Sequence, residues 1–184
     1  MRTFKPCVIL GLALVMAGCA VPSLHPLFTE KELVFDPALV GTWGKEDEEG
    51  KWVFTRSGEK RYTVDPQDGE PRKFEGHLVQ LGKFRFLDLY PEDMDIKNEI
   101  YKIHFIPAHT FWRIWIEDDN LRIALMNEDW LKRKIDAKSV SIAHERMDDL
   151  IVLTAPTAKL QELVLKHAED SEAFPDPEEW QRRK

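Results

Sequence analysis

The sequence predicts a mainly β fold, an antiparallel meander of short strands followed by a C-terminal α-helix. From residue 38 to 154, apolar and polar residues alternate with a period of two, as they do in half-buried strands. Turn-forming residues interrupt this alternation at short intervals, which favours a barrel or a sandwich over βαβ units. After residue 156 the apolar spacing becomes that of a helix, so the last element is predicted to pack on the strands.

The predicted strands pair with their neighbours across short turns. Ser57-Gly58, Gly82 and Asp118-Asp119-Asn120 supply three of these turns. In chain order the strands are expected near 38–43, 52–55, 62–64, 74–81, 84–86, 101–105, 112–116, 121–125, 140–144 and 151–154.

A first helix is predicted at 128–136, inside the meander. Asn127 is a suitable N-cap, and Glu128 and Asp129 place negative charge in the first turn. The residues expected to face the core are Trp130, Leu131 and Ile135.

The second helix is predicted to begin near Pro156, which suits the first position of a helix. Leu160, Leu163, Val164 and His167 follow at i, i+3, i+4 and i+7, so they form one apolar stripe. This is the clearest amphipathic pattern in the chain, and its stripe predicts a helix lying against the strands.

The first 18 residues have the layout of an export signal. Arg2 and Lys5 precede an uncharged apolar run at 8–16, and two small residues stand before Cys19. As a helix the run would be about 14 Å long, about half of a hydrocarbon core of about 30 Å. It therefore predicts a cleaved leader. The domain organisation expected is a leader at 1–18, a tether at 19–36, the β domain with its helix at 37–170 and a flexible tail at 171–184.

Met16-Ala17-Gly18-Cys19 resembles the lipobox of bacterial lipoproteins, although Met replaces the Leu that the family favours. The resemblance implies that Cys19 becomes the first residue and carries lipid, which anchors the protein to a membrane. By the same analogy Ala20 favours the periplasmic face of the outer membrane. An ordinary secreted protein cleaved near Ala20 is the alternative. The only other cysteine, Cys7, would be lost with the leader, so no intramolecular disulfide is expected.

The acidic balance excludes one class of partner. The formal net charge is −7 at pH 7. Binding to nucleic acid, or to anionic lipid through a polybasic segment, requires clustered positive charge. Neither is predicted.

Gly41-Thr42-Trp43 is similar to the G-x-W signature of lipocalins. The resemblance would cover about residues 38–168 and implies a barrel of about eight antiparallel strands, with the C-terminal helix packed outside it. It also implies the binding of a small apolar or amphiphilic ligand. The helix predicted at 128–136 is an addition to the family's pattern.

No pattern in the chain predicts catalysis, a cofactor or a metal site. The six histidines do not stand in H-E-x-x-H or H-x-H spacing. We expect His77 and His104 at the surface and His144 as a hydrogen-bonded core residue. Asp88 is either a general acid or, more in keeping with its setting, a paired structural carboxylate. We therefore predict that the protein is not an enzyme. The histidines are His25, His77, His104, His109, His144 and His167.

The stretch 111–115 puts large side chains on both faces of one strand. Phe111, Arg113 and Trp115 lie opposite Trp112 and Ile114. The first set is buried by the C-terminal helix or forms an exposed patch for a partner. Two functions stay open: a lipocalin-like binder of a small apolar or amphiphilic ligand, and a protein interaction module in envelope assembly. A dry cavity would favour the first function and a flat apolar patch the second.

Overall fold

The structure is a computed structural model that describes residues 20–46, 48–67, 69, 72–92 and 96–184. Within these residues there are twelve strands, three α-helices and one 3-10 turn at Pro37–Leu39. The strands are β1 (Pro22–Ser23), β2 (Leu33–Val34), β3 (Gly41–Gly44), β4 (Lys51–Arg56), β5 (Tyr62–Gln67), β6 (Phe74–Leu81), β7 (Phe84–Pro91), β8 (His109–Glu117), β9 (Asn120–Leu125), β10 (His144–Met147), β11 (Leu150–Leu153) and β12 (Glu178–Arg183). The helices are α1 (Glu99–Lys102), α2 (Glu128–Asp136) and α3 (Thr157–His167).

Eight of these strands form a closed antiparallel barrel. Strands β3 to β9 follow one another as a meander, and β12 pairs with both β3 and β9 to complete the circle. Strands β1, β10 and β11 extend the sheet from the start of β8. The mainly β fold predicted from the sequence is therefore confirmed, and the barrel with its C-terminal helix is lipocalin-like.

The interior of the barrel is filled by side chains, which we call the inner core. They come from the inward faces of the barrel strands and from the segment just before β3. The buried members are Leu39, Trp43, Phe54, Tyr62, Val64, Leu78, Leu87, Leu89, Ile114, Leu121, Ile123 and Trp180.

A second apolar cluster, the outer core, lies on the outside of the barrel wall. It joins the outward faces of several strands to α2, α3 and the segment 21–33. Leu160, Leu163 and Val164 of α3 are buried there, as are Trp130 and Leu131 of α2. Both helices predicted from the sequence are confirmed, and the Asn127 side chain accepts a hydrogen bond from the Trp130 backbone N–H, as an N-cap should.

The segment predicted to be a flexible tail is part of the barrel. Strand β12 lies between β3 and β9, and the exposed fraction of Trp180 is only 7%. The prediction was wrong because a sequence of mostly charged residues shows no alternating apolar pattern. The strand forms because β3 and β9 would otherwise have unpaired edges.

The segment predicted to be a tether is also folded. Pro22 and Ser23 pair with Thr110 and His109, and Leu27 is fully buried in the outer core. Its prolines suggested an extended linker, but edge pairing and burial hold it on the barrel wall. Cys19 itself lies outside the described residues, as does the predicted leader.

The strand predicted at 101–105 is absent, and α1 and a loop take its place. Asn98 caps α1 by accepting a hydrogen bond from the Tyr101 backbone N–H. The strand predicted at 140–144 is also wrong, since α2 ends there with the backbone N–H groups of Ser139 and Val140 bonded to the Lys134 carbonyl. The neighbouring strand β10 begins only at His144.

Candidate functional site

One end of the barrel is sealed around Trp43. Its indole Nε1 donates to the Leu39 carbonyl over 2.9 Å, and the Arg182 guanidinium lies 4.3 Å from the centre of one ring. Arg182 also donates to the carbonyls of Ala38 and Val40, at 2.7 and 2.9 Å. These contacts fasten the last strand to the segment that closes the barrel. No sequence pattern singles out Arg182, because its partners are far away along the chain.

Gly41 explains why a glycine begins the tripeptide that resembles the lipocalin signature. Its φ is +143°, a conformation that L side chains rarely adopt. A Cβ added there would lie 2.5 Å from Arg182 Nη1. The glycine therefore leaves the space in which the guanidinium reaches Trp43.

Four aromatic side chains meet at the opposite end, which we call the mouth; these four rings are the mouth cluster. Strands β4, β6, β8 and β12 all begin at this end, and each contributes one ring. Trp52 is central, with its ring centre 5.1 Å from that of Trp112, 5.4 Å from Trp180 and 6.3 Å from Phe74. Trp52, Phe74 and Trp112 are only partly buried, whereas the sealed end is covered. The mouth is thus an aromatic surface backed by the inner core.

The mouth cluster contains one polar atom without a partner. Trp112 Nε1 is buried and has no hydrogen-bond acceptor within the described part of the chain. Trp180 Nε1, by contrast, donates to Glu178 Oε2 over 3.3 Å, and that carboxylate also lies 3.2 Å from the Lys45 ammonium. A buried N–H that makes no bond costs about 1–3 kcal/mol, so an acceptor placed beside Trp112 would be favoured.

An open groove of about 420 Å³ lies outside the barrel near the sealed end. Phe84, Arg113 and Trp115 form part of its wall, and the Arg113 guanidinium lies 5.0 and 4.3 Å from the two ring centres. Arg113 also donates to the Ala168 carbonyl at the end of α3. The outer face of β8 is therefore partly covered by the helix: Phe111 is buried, while Trp115 is partly exposed.

Asp88 has the structural setting expected for a paired carboxylate. It is fully buried on the outer face of β7, and it accepts a hydrogen bond from the Leu27 backbone N–H over 2.7 Å. Its second oxygen lies 2.7 Å from His109 Nδ1. The sequence did not single out His109, because 21 residues separate it from Asp88. The pair holds the N-terminal segment on the barrel wall.

The other histidines take three different settings. His77 is mostly buried and its ring centre lies 4.4 Å from that of Phe28, so the predicted surface position is wrong. Burial lowers the pKa of His77 below its ordinary value of 6.5. His104 is exposed, as predicted. His144 is half-buried, with Nδ1 2.9 Å from the Ile142 carbonyl oxygen.

The loop between β7 and β8 carries exposed apolar side chains. Since β7 ends and β8 begins at the mouth, this loop lies at the same end as the mouth cluster. We call residues 96–108 the apolar loop. Its exposed members, with their exposed fractions, are Ile100 (75%), Tyr101 (62%), Ile103 (76%), Phe105 (46%) and Ile106 (75%).

Metal-ligating groups are not clustered in the part of the chain that the structure describes. No three residues of the types His, Cys, Asp or Glu are grouped there so that they could hold a metal ion. None of the helices in these same residues is long and apolar enough to cross a membrane.

The chain was compared with protein-family models, with curated proteins and with solved structures, and none of them matched.

Proposed function

We propose that the protein is a lipid-anchored protein of the bacterial cell envelope whose lipocalin-like barrel binds a small apolar or amphiphilic ligand at the mouth. In this proposal Cys19 carries the lipid, and the barrel stands on the periplasmic face of the outer membrane. The observation that carries the binding role is the contrast between the two ends of the barrel. One end is sealed by Arg182 and Trp43, and the other exposes the mouth cluster.

The chemistry of the mouth defines the kind of ligand. Partly exposed indole rings favour a flat or flexible apolar body, because burying that surface gains about 25 cal/mol per Å². The unpaired Nε1 of Trp112 favours a hydrogen-bond acceptor on the same molecule. An amphiphile with an apolar chain and one carbonyl or carboxyl oxygen meets both requirements.

Trp112→Phe tests this assignment because it keeps a ring and removes the N–H. Binding would be measured by titrating the protein with cis-parinaric acid, a fluorescent fatty acid. A hydrogen bond contributes about 0.5–1.5 kcal/mol, so the affinity should fall by about 2-fold to 12-fold. Trp115→Phe is the matched control, since this residue lies on the outer face of the same strand and should leave the affinity unchanged. No binding by the unmodified protein, or equal binding by both variants, would contradict the proposal.

The lipid anchor has a separate test. Cys19→Ser removes the sulfur that the lipid requires, and the variant should be absent from membranes that have been washed with salt. Intact-mass measurement of the unmodified protein should show the added acyl chains. A variant that stays on washed membranes would contradict the anchor without bearing on the mouth.

An interaction module in envelope assembly is the second candidate function. The inner core fills the barrel with large side chains, and the outer groove offers Phe84, Arg113 and Trp115 to a partner. Aromatic residues and arginine are enriched where binding energy concentrates in protein interfaces. If Trp115→Ala abolished capture of an envelope protein and Trp112→Phe left fatty-acid binding unchanged, this second function would replace the first.

A further inference from the structure

The mouth end of the barrel carries two features that the proposed ligand site does not explain. One is the apolar loop, in which three isoleucine side chains are about three-quarters exposed. The other is the N-terminal segment, which reaches the barrel at the start of β8. Exposing this much clustered apolar surface to water is unfavourable unless a partner covers it.

The chain between the anchor position and the barrel is very short. Val21 is already buried, and Pro22 pairs with Thr110, the second residue of β8. Pro22 follows Cys19 by three steps along the chain, and a fully extended chain of that length spans at most about 11 Å. Cys19 therefore stays within about 11 Å of Pro22, and the sequence continues from Ile106 to Thr110 in only four steps.

We infer that the mouth end of the barrel rests on the membrane surface, with the apolar loop inserted into the interfacial layer of the bilayer that holds the lipid of Cys19. This inference rests on the proposed lipid anchor. The short connection brings the loop and the bilayer together, and the exposed side chains supply the apolar surface that insertion requires. Leu24, which is 40% exposed and directly follows the residue paired with His109, extends the same surface.

The inserted groups are apolar, and this determines the lipids required. A net charge of −7 gives the protein no general attraction to anionic lipid. Insertion should therefore occur in zwitterionic phosphatidylcholine and persist at high salt. It also turns the mouth cluster towards the bilayer, so that the ligand is an amphiphile drawn from that membrane and not one taken from the aqueous phase.

The test uses the lipidated protein reconstituted into phosphatidylcholine vesicles. Ile103→Cys provides one site in the apolar loop for the environment-sensitive fluorophore NBD. Ser57→Cys, in the exposed turn between β4 and β5 at the sealed end, is the matched control. The loop probe should show a blue-shifted emission, quenching by doxyl-labelled lipid and protection from iodide, all unchanged by high salt. The control probe should show none of these.

A second variant keeps the test independent of the labelling site. Ile100→Asp and Ile106→Asp, added to Ile103→Cys, should abolish the blue shift, because charged side chains do not enter the bilayer readily. Both positions are about three-quarters exposed, so the melting temperature should stay the same. Equal iodide quenching at positions 103 and 57 in vesicles would overturn the inference. A blue shift that rises with protein concentration in detergent would overturn it too, since a second copy would then cover the loop.

The failure of the anchor is distinguishable from the failure of the inference. With Cys19 lipidated and Cys7 removed with the leader, each labelled variant should carry a single fluorophore. A second fluorophore by mass spectrometry would mean that Cys19 is a free thiol, which would overturn the anchor and this inference with it. A single fluorophore that stays exposed to iodide would overturn the inference alone.

Discussion

The inner core and the outer core bury similar side chains in different ways. The inner core is formed almost entirely by barrel strands, so each residue needs only its neighbours in the sheet. The outer core needs α2, α3 and the N-terminal segment to cover the outside of the wall. Strand β7 shows the consequence, since Phe86, Leu87, Asp88 and Leu89 are all buried in succession. Strand β4, which no helix covers, buries only Phe54.

This difference teaches that the barrel wall has one covered side and one bare side. Where the wall is covered, polar groups must find partners, as Asp88 does with Leu27 and His109. Where it is bare, alternating residues meet water. The predictions below disturb the inner core and the outer core in turn.

Removal of β12 should have the largest effect. A chain ending at Pro177 loses Trp180 and Arg182 and leaves the edges of β3 and β9 unpaired. We expect no cooperative unfolding transition in urea, because the barrel can no longer close. A chain ending at Arg183 is the control and should unfold like the full chain. Cooperative unfolding of the shorter chain would show that the barrel does not depend on β12.

Trp43→Ala should be the most damaging single substitution in the inner core. It removes a fully buried ring and the surface on which Arg182 lies. The free energy of unfolding should fall by about 3–5 kcal/mol, measured by urea denaturation. Trp115→Ala is the control on the partly exposed outer face. The prediction fails if both variants lose the same amount.

Leu163→Ala should have a smaller effect, because it affects the outer core, where a helix can shift to fill a cavity. The side chain is 7% exposed, so we expect a loss of about 2–3 kcal/mol, in the lower part of the range for such truncations. Binding of cis-parinaric acid should be unchanged, since α3 lies outside the barrel. A loss of binding with unchanged stability would indicate instead that the helix is a docking element.

The pH dependence should separate the two cores with the smallest effects. Burial lowers the pKa of His77 and His167 in the outer core below the ordinary value of 6.5. The unfolded chain then binds more protons, so this stability is present above pH 6.5 and is lost as the pH falls through the lowered pKa values. Glutamine at both positions should flatten the acid side of a plot of unfolding free energy against pH.

On the alkaline side the inner core should respond instead. Burial raises the pKa of Tyr62 from 10.0 to about 12, and its hydroxyl donates to the Asp36 carbonyl over 3.0 Å. That stability is present below pH 10 and is lost as the pH rises towards 12. Tyr62→Phe should flatten the alkaline side and leave the acid side unchanged. If either variant flattened both sides, the two cores would not titrate separately.

Local patterns predicted the elements whose partners are close in sequence. The hairpin of β4 and β5 and the two longer helices follow from alternation, a turn dipeptide and an N-cap at Asn127. At the candidate site, the sequence placed Trp112 on the inward face of its strand. It could not bring Trp112 to Trp52 and Trp180, because only barrel closure places these three rings together.

The sequence by itself determined a β meander with a C-terminal helix, since period-two and helical spacing are properties of each segment alone. The tertiary structure decided which strands exist at the margins. Residues 101–105 alternate well but meet no edge, so they form a helical turn and a loop. Residues 178–183 are mostly charged, yet they form a strand because β3 and β9 offer backbone donors and acceptors on both sides. Strand formation at these two places depends on an available edge, which no local pattern records.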